Sequence, residues 1–207
     1  MNDAPRAAAA ELRTARLRLV PATAASLNAA IEGASPLERV LGARVPGTWP
    51  PEFLDREALE YTRTRLEAGP EAAAWWMYFV LLRGASAPHG SAHRMNGTAA
   101  TGEANDPGAV PSTLIGSAGY KGPPLSDGTV EIGYGIVSDQ RRRGYASEVT
   151  ECLVANAFAH TGVSRVIAET LPDLVGSIGV LARCGFRECG GASESFVIRF
   201  ERPRPTT

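Results

Sequence analysis

The chain has 207 residues, 44% of them hydrophobic, and a formal net charge of −1. That length fits one globular domain with enough apolar surface for a core. Length does not name a function, but the charge is informative, because 21 Lys and Arg residues nearly balance 22 Asp and Glu residues. It argues against a general attraction to nucleic acid or to an anionic membrane, so any anion site must be local.

The amino-terminal residues do not resemble a secretory signal peptide. The first eleven residues contain Asp3 and only four consecutive alanines, whereas a secretory signal has a long apolar centre. No stretch approaches the roughly 18 apolar residues of a membrane span. We therefore expect a cytoplasmic protein without a membrane partner. The expected organisation is one domain at residues 12–202, between flexible tails at residues 1–11 and 203–207.

Cysteine and histidine positions argue against a metal site or a disulfide framework. Cys152, Cys184 and Cys189 form no CxxC pair, and their odd number favours free, buried thiols. His89 and His93 have the spacing of a helical metal pair, but the surrounding Gly, Ser, Pro and Asn residues supply no helix. We expect no bound metal.

The first half of the chain predicts two strands and two helices before a long insertion. Residues 16–20 alternate as in a half-buried strand, and a helix follows at residues 23–31, capped by Thr23. Asp55 caps a second helix, and residues 75–83 form an apolar strand. Residues 84–112 are then rich in small and polar types. We expect them to form a mobile insertion between two hairpin strands.

The second half predicts an antiparallel strand pair, then alternating helices and strands. A turn rich in Gly, Pro and Asp separates the two strands of the pair. In chain order, the predicted elements are strands at residues 113–120 and 129–137, a long helix at 144–160, a strand at 164–170, a short helix at 177–183 and a last strand at 193–201.

The segment IVSDQRRRGYA, residues 136–146, predicts an anion site. A strand ends there, basic residues form the turn, and Gly144 opens a helix whose first N–H groups lack helical partners. Gly144 lets the backbone approach a ligand, and Ala146 is small. Arg141 and Arg143 can add charge-assisted bonds to phosphate. A solvated basic patch and a nucleic-acid stripe are alternatives, although no second basic cluster or aromatic platform accompanies the motif.

With these residues the sequence resembles the GNAT acetyltransferase superfamily, whose motif Q/R-x-x-G-x-G/A is matched by Arg141, Gly144 and Ala146. Four ordered blocks extend the resemblance over residues 12–200, apart from the insertion: LRTARLRLVPAT, EIGYGIV, RGYASE and SIGVLARCGF. They are similar to the branch that contains the ribosomal-protein N-terminal acetyltransferases.

The resemblance implies an α/β (α+β) fold: a mixed, mostly antiparallel sheet of six to seven strands flanked by about four helices, splayed between the fourth and fifth strands. It implies acetyl coenzyme A as cosubstrate, with no metal. The pantetheine arm would pair with Ile136, Val137 and Ser138 on the fourth strand. The phosphates would lie against the turn and the helix start, at Arg141, Arg142, Arg143, Gly144, Tyr145, Ala146 and Ser147.

Acetyl transfer needs a neutral amine, and alkyl ammonium groups titrate near 10, so a base must take a proton. The resemblance to histone acetyltransferases places Glu131 in that role; the alternative is a cross-strand ion pair. Many relatives protonate the leaving thiolate with a tyrosine, but Leu181 occupies that position. Ser177 matches a serine suggested for this role in the ribosomal-protein branch, and the alternative is a helix cap. Leu174 replaces an asparagine that contacts the coenzyme arm in the family.

The predicted function is an N-acetyltransferase that moves an acetyl group directly, in a ternary complex, to the amine of a protein N-terminus or a small molecule. Loops at about residues 36–55 and the final hairpin would form the acceptor walls. The alternative is a non-catalytic sensor or interaction module that binds acetyl coenzyme A. We expect a monomer or a homodimer, without a nucleic-acid partner.

Overall fold

The computed structural model describes residues 9–84, 110–190 and 192–205. The predicted insertion, including His89 and His93, lies almost entirely outside the described residues, as do most of the N-terminal tail and the last two residues.

One mixed sheet organises this part of the chain. Every neighbouring pair of strands is antiparallel except β5 and β6, which are parallel. Within the described residues the sheet order is β1-β2-β3-β4-β5-β6-β8-β7. The strands are β1 (Leu12–Arg13), β2 (Leu17–Pro21), β3 (Met77–Leu82), β4 (Thr113–Tyr120), β5 (Thr129–Ile136), β6 (Arg165–Thr170), β7 (Arg187–Cys189) and β8 (Ile198–Pro203). The predicted mixed, mostly antiparallel sheet is confirmed.

The helices lie before β3 and after β5. They are α1 (Ala24–Glu32), α2 (Ala34–Leu41), α3 (Arg56–Ala68), α4 (Tyr145–Ala159) and α5 (Val175–Arg183). Thr23 caps α1 by accepting from Ser26 N, and Asp55 caps α3 by accepting from Ala58 N at 2.8 Å, as predicted. Among the described segments, no helix is long and apolar enough to cross a membrane.

The element counts exceed the prediction by short pieces. Loops were expected from about residue 36 to 55, but residues 34–41 form α2. Pro36 stands in the first turn of this helix, where a missing N–H costs no helical bond. The first predicted strand, residues 16–20, corresponds to β2, and the short strands β1 and β7 were not predicted. Strand β3 begins at Met77 because the preceding residues, Pro70–Trp75, form a 3₁₀ helix.

The side chains of the sheet bury two separate apolar clusters, one on each face. Val80 and Ile132 belong to the cluster that contains Leu153 of α4 and Leu181 of α5. Phe79, next to Val80, points to the other face, where α1, α2 and α3 pack. The molecule therefore has three layers, with helices covering both faces of the sheet.

The sheet opens between β5 and β6. Their pairing covers only residues 129–132 of β5 against 165–168 of β6. Strand β5 continues to Ile136 and β6 to Thr170, so each runs on beyond this pairing. This is the predicted splay between the fourth and fifth strands of the fold, and it lies next to the start of α4.

Candidate functional site

A cleft of about 930 Å³ occupies the region where β5 and β6 separate. Its walls are the end of β5, the turn into α4, the start of α5 and the segment that contains Glu52 and Phe53. Three parts of the chain that are distant in sequence therefore meet around one cavity, large enough for a cofactor-sized ligand.

Most residues predicted to bind the coenzyme line this cleft. They are Ile136, Arg141, Arg142, Gly144, Tyr145, Ala146 and Ser147. Val137 is fully buried in the core below, and Ser138 and Arg143 are exposed but lie outside the lining. The structure thus brings together seven of the ten predicted positions.

The start of α4 presents backbone donors to the cleft. Gly144 is its N-cap with φ 80°, and no side chain caps the helix. The N–H groups of Tyr145, Ala146 and Ser147 precede the first intrahelical donor, Glu148. A Cβ atom on Gly144 would meet the end of the Arg16 side chain at 3.4 Å. An anion can therefore approach these donors closely, favoured by the positive end of the helix dipole.

The arginines of the turn differ in their partners. Arg141 Nε donates to the Ile136 carbonyl at 3.0 Å, and its Nη2 lies 3.1 Å from Glu52 Oε2. Arg143 Nη2 donates to the Asp139 carbonyl at 3.4 Å, away from the cleft. Arg142 is exposed in the lining and has φ 60°. Arg141 and Arg142 are thus the cations of the motif that face a ligand.

The acid at the start of α4 is neutralised locally. Glu148 accepts from Arg16 Nε at 2.7 Å, from Arg16 N at 3.0 Å and from Thr14 Oγ1. Burial raises the pKa of Glu148, but these bonds outweigh burial and hold the pKa below its ordinary value. The Arg16 guanidinium also lies 4.6 Å from the centre of the Tyr145 ring. The carboxylate is therefore paired with the turn between β1 and β2 rather than free to repel a bound anion.

Across the cleft, Ser177 faces Tyr134. Helix α5 has Leu174 as its N-cap, without a side-chain cap bond, and Ser177 lies one turn inside, so the predicted alternative of a capping serine is wrong. Ser177 Oγ lies 3.3 Å from Tyr134 Oη, and that hydroxyl also donates to the Ser177 carbonyl at 3.4 Å. Burial raises the pKa of Tyr134, and the hydrogen bond with Ser177 partly opposes that rise. Leu181, at the position of the family's tyrosine, is buried in the core.

Glu131 does not line the cleft. It alternates with Val130 and Ile132, which belong to the core beneath α4, so its side chain points to the opposite face of the sheet. There Lys121 Nζ forms a close ion pair with Glu131, so the cross-strand pair predicted as the alternative is present. Gly133 follows on the same face, and a Cβ atom there would meet nothing within 4 Å. The face of β5 that carries Glu131 is therefore open at Gly133, where the strand begins to separate from β6.

Sequence reasoning did not identify the residues of one wall of the cleft. It predicted that residues 36–55 form acceptor walls, but it did not single out Glu52 or Phe53. Phe53 is 68% exposed and has φ 66°, which is unusual for a bulky residue. Tyr134 lies in a predicted strand, and the family resemblance implies that the thioester lies near residues 134–136, but the contact of Tyr134 with Ser177 was not predicted. An acid and an aromatic residue just before the Asp55 helix cap were the available signal.

Comparison with known proteins identifies acetyltransferases as relatives. The acetyltransferase (GNAT) domain family matches residues 16–187. The uncharacterized N-acetyltransferase YjdG of Bacillus subtilis is 34% identical over 73 residues, which cover 35% of this chain. That match spans 44% of the length of YjdG, less than half of the relative.

Two solved structures have a similar fold. An acetyltransferase from Agrobacterium tumefaciens superposes with a TM-score of 0.59 at 19% identity, covering 94% of this chain and 95% of the other. RimL, a ribosomal L7/L12 alpha-N-protein acetyltransferase in complex with coenzyme A, gives 0.58 at 13% identity, covering 94% and 98%. Since the family match runs from β2 into β7 and the open sheet surrounds the predicted motif, the chain belongs to the GNAT acetyltransferase family.

Proposed function

We propose that this protein is an N-acetyltransferase that moves an acetyl group from acetyl coenzyme A to a primary amine by direct transfer in a ternary complex. The observation that carries the proposal is the uncapped start of α4, open to a cleft at the point where β5 and β6 part. The family membership supports the reaction class.

The residues present fit a coenzyme with a pyrophosphate. The N–H groups of Tyr145, Ala146 and Ser147 would hold phosphate oxygens, and Arg141 and Arg142 would add positive charge. The exposed backbone of β5 beyond Ile132 would pair with the amides of the pantetheine arm. Arg183, which donates to Ser147 Oγ at 3.2 Å, is a further cation of the lining. The coenzyme, when bound, supplies a thioester whose C–S bond breaks as the amine attacks.

Proton transfer would be divided between two sides of β5. Glu131 would accept the proton of the amine through water, across the open space at Gly133, since it does not itself face the cleft. The hydroxyl pair of Tyr134 and Ser177, which does line the cleft, would give a proton to the departing sulfur.

A protein N-terminus is the acceptor class that we favour. The structural neighbour RimL acts on the amino terminus of a ribosomal protein, and the cleft is wide and bordered by exposed apolar groups, Phe53 and Val175. A small amine is the alternative acceptor, and a peptide panel that includes small amines separates the two.

Release of free thiol from acetyl coenzyme A, with peptides and small amines as acceptors, tests the proposal. We expect acceptor-dependent turnover by the wild-type protein. Gly144→Val should abolish coenzyme A binding in calorimetry, because a branched side chain would block the donors and resist φ 80°. Gly162→Val, at an exposed turn with free space around it, is the control and should bind normally.

Coenzyme binding without turnover on any acceptor would leave a sensor or interaction module as the function. A folded Gly144→Val protein with wild-type affinity for coenzyme A would remove the assignment of the phosphate site. A thermal melt of each variant establishes that it is folded.

A further inference from the structure

An ion pair in the cleft joins the proposed phosphate site to the proposed acceptor wall. Arg141 belongs to the motif proposed to bind phosphate, and Glu52 belongs to the wall proposed to receive the acceptor. Arg141 Nη2 and Glu52 Oε2 lie 3.1 Å apart, with the two side chains 46% and 55% exposed. Pairs this exposed contribute little to stability and exchange partners readily.

The guanidinium of Arg141 is anchored at one end only. Its Nε donates to the Ile136 carbonyl at 3.0 Å, which fixes the side chain over the end of β5. The Nη groups remain able to change partners, and a phosphate, which carries more charge than a carboxylate, competes well for them. A phosphate bound to Arg141 would therefore displace Glu52.

The segment that carries Glu52 is held rigidly against the motif. Thr48 Oγ1 donates to Asp139 Oδ1 at 2.8 Å, which ties the segment to the turn before α4. Below it, a Cβ atom on Gly135 would lie 3.2 Å from Pro51, so the segment packs directly on β5. Glu52, once released, would remain in the cleft beside the exposed ring of Phe53, rather than swing away with a flexible loop.

We propose that Glu52 is the acceptor-recognition residue of this cleft and that coenzyme binding unmasks it by taking Arg141. The inference rests on the proposed function. A positively charged amine with an apolar neighbour fits the site: Glu52 attracts the charge and Phe53 contacts the apolar part. Because coupling between two ligands is reciprocal, the cationic acceptor also tightens coenzyme binding by occupying Glu52. The acceptor therefore binds well only to the coenzyme complex.

Glu52→Gln tests the exchange, with Glu188→Gln as a control that makes the same charge change on β7, outside the cleft lining. Calorimetry with coenzyme A should show about two- to five-fold tighter binding to Glu52→Gln, because Arg141 no longer has a competing carboxylate. Glu188→Gln should match the wild type. Both substitutions are at exposed positions, so both proteins should fold.

Acceptor recognition is tested by steady-state kinetics at saturating acetyl coenzyme A, with an amine that the wild type acetylates. Glu52→Gln should raise KM for that amine about ten-fold or more while kcat stays within a few-fold. Equal coenzyme affinity in Glu52→Gln and Glu188→Gln would overturn the exchange. An unchanged KM would overturn acceptor recognition. Failure of the wild type to bind coenzyme A would instead refute the proposed function on which the inference rests.

Discussion

The hydroxyl pair of Tyr134 and Ser177 places two proton donors where the coenzyme sulfur is proposed to lie. The two hydroxyl oxygens lie 3.3 Å apart, and Tyr134 Oη also lies 3.4 Å from the Ser177 carbonyl oxygen. Both of these hydrogen bonds join uncharged groups. Since burial raises the pKa of Tyr134 above its ordinary value of 10, its phenol stays protonated throughout the neutral range. A rate limited by this donor should therefore not fall as the pH rises from 7 to 10.

We expect Ser177→Ala and Tyr134→Phe each to lower kcat by about 10²-fold, the lower range for a positioned acid, while coenzyme affinity is unchanged. Steady-state kinetics and calorimetry measure the two effects separately. Tyr61→Phe, which removes an exposed hydroxyl on α3, is the control. A wild-type rate for Ser177→Ala would assign the proton to Tyr134 or to water.

Glu131 tests whether a base can act from outside the cleft. We expect Glu131→Gln to lower kcat by about 10²- to 10⁴-fold with coenzyme affinity within a few-fold, because the amide keeps its size but cannot take a proton. Activity should recover at high pH, where free amine is abundant. Lys121→Met, which removes the cation partner but keeps the carboxylate, should remain active. If Glu131→Gln turns over like the wild type near pH 7, the residue is structural.

At the scale of elements, the two strands that flank the insertion close on each other. Leu82 of β3 pairs with Thr113 of β4. Beyond this pair, Gly84 lies against the Val110 carbonyl oxygen so closely that a Cβ atom on Gly84 would not fit. The ends of the insertion are therefore in contact, and a short turn can join them. We infer that residues 12–202 fold as one domain without it.

Replacing residues 85–109 by an Asn-Gly turn should preserve a cooperative thermal transition, because the loop length itself has only a small entropic cost. Differential scanning calorimetry of the shortened and full chains measures this. Acetylation rates measured on the same samples give a separate value for the effect on function. Loss of cooperative melting would mean that the insertion packs into the domain.

The elements that sequence reasoning located are those with a complete local signal. Helix α3 has an Asp55 cap and apolar residues at helical spacing, and β4 and β5 are apolar strands around a Gly- and Pro-rich turn. Helix α2 was not predicted, because a proline such as Pro36 is found in loops as well as in the first turn of a helix. Strand β7 has three residues, two of them exposed, and exists only because it pairs with β8. Tertiary contacts, rather than local preference, define such pieces.

For the molecule as a whole, the same division separates the predicted from the missed parts of the site. The anion site around Gly144 could be predicted from sequence, because its chemistry depends on residues that are adjacent in the chain. Glu52 meets Arg141 across 89 positions, and Tyr134 meets Ser177 across 43. No local pattern specifies such contacts. They follow from the packing of the 46–55 segment and α5 around the end of β5.

Three partly buried carboxylates are paired with arginines. Glu11 pairs with Arg18 at 2.8 Å, Glu148 links α4 to the turn before β2 through Arg16, and Glu169 of β6 accepts from Arg199 of β8 at 2.9 Å. The bonds to Arg18 lower the pKa of Glu11. For Glu148 and Glu169, hydrogen bonds and arginine charges outweigh the opposing effect of burial, so all three pKa values lie below the ordinary 4.5.

The folded state therefore binds fewer protons than the unfolded state at acid pH. A carboxylate whose pKa is lowered by folding contributes stability above its unfolded pKa and loses it as the pH falls towards the folded value. We expect the free energy of unfolding to be nearly constant from pH 7 to about 5.5 and to fall steadily below about 4.5, as these groups take up protons. Urea unfolding at a series of pH values measures this dependence.

Glu148→Gln isolates one of these linkages. The variant should be less stable than the wild type at pH 7, because its amide cannot pair with the Arg16 charge, and the two stabilities should converge as the pH falls below 4. Glu188→Gln, an exposed carboxylate on β7, should keep the wild-type pH dependence. A Glu148→Gln curve parallel to that of the wild type would mean that the contacts of Glu148 do not differ in strength between its charged and protonated forms.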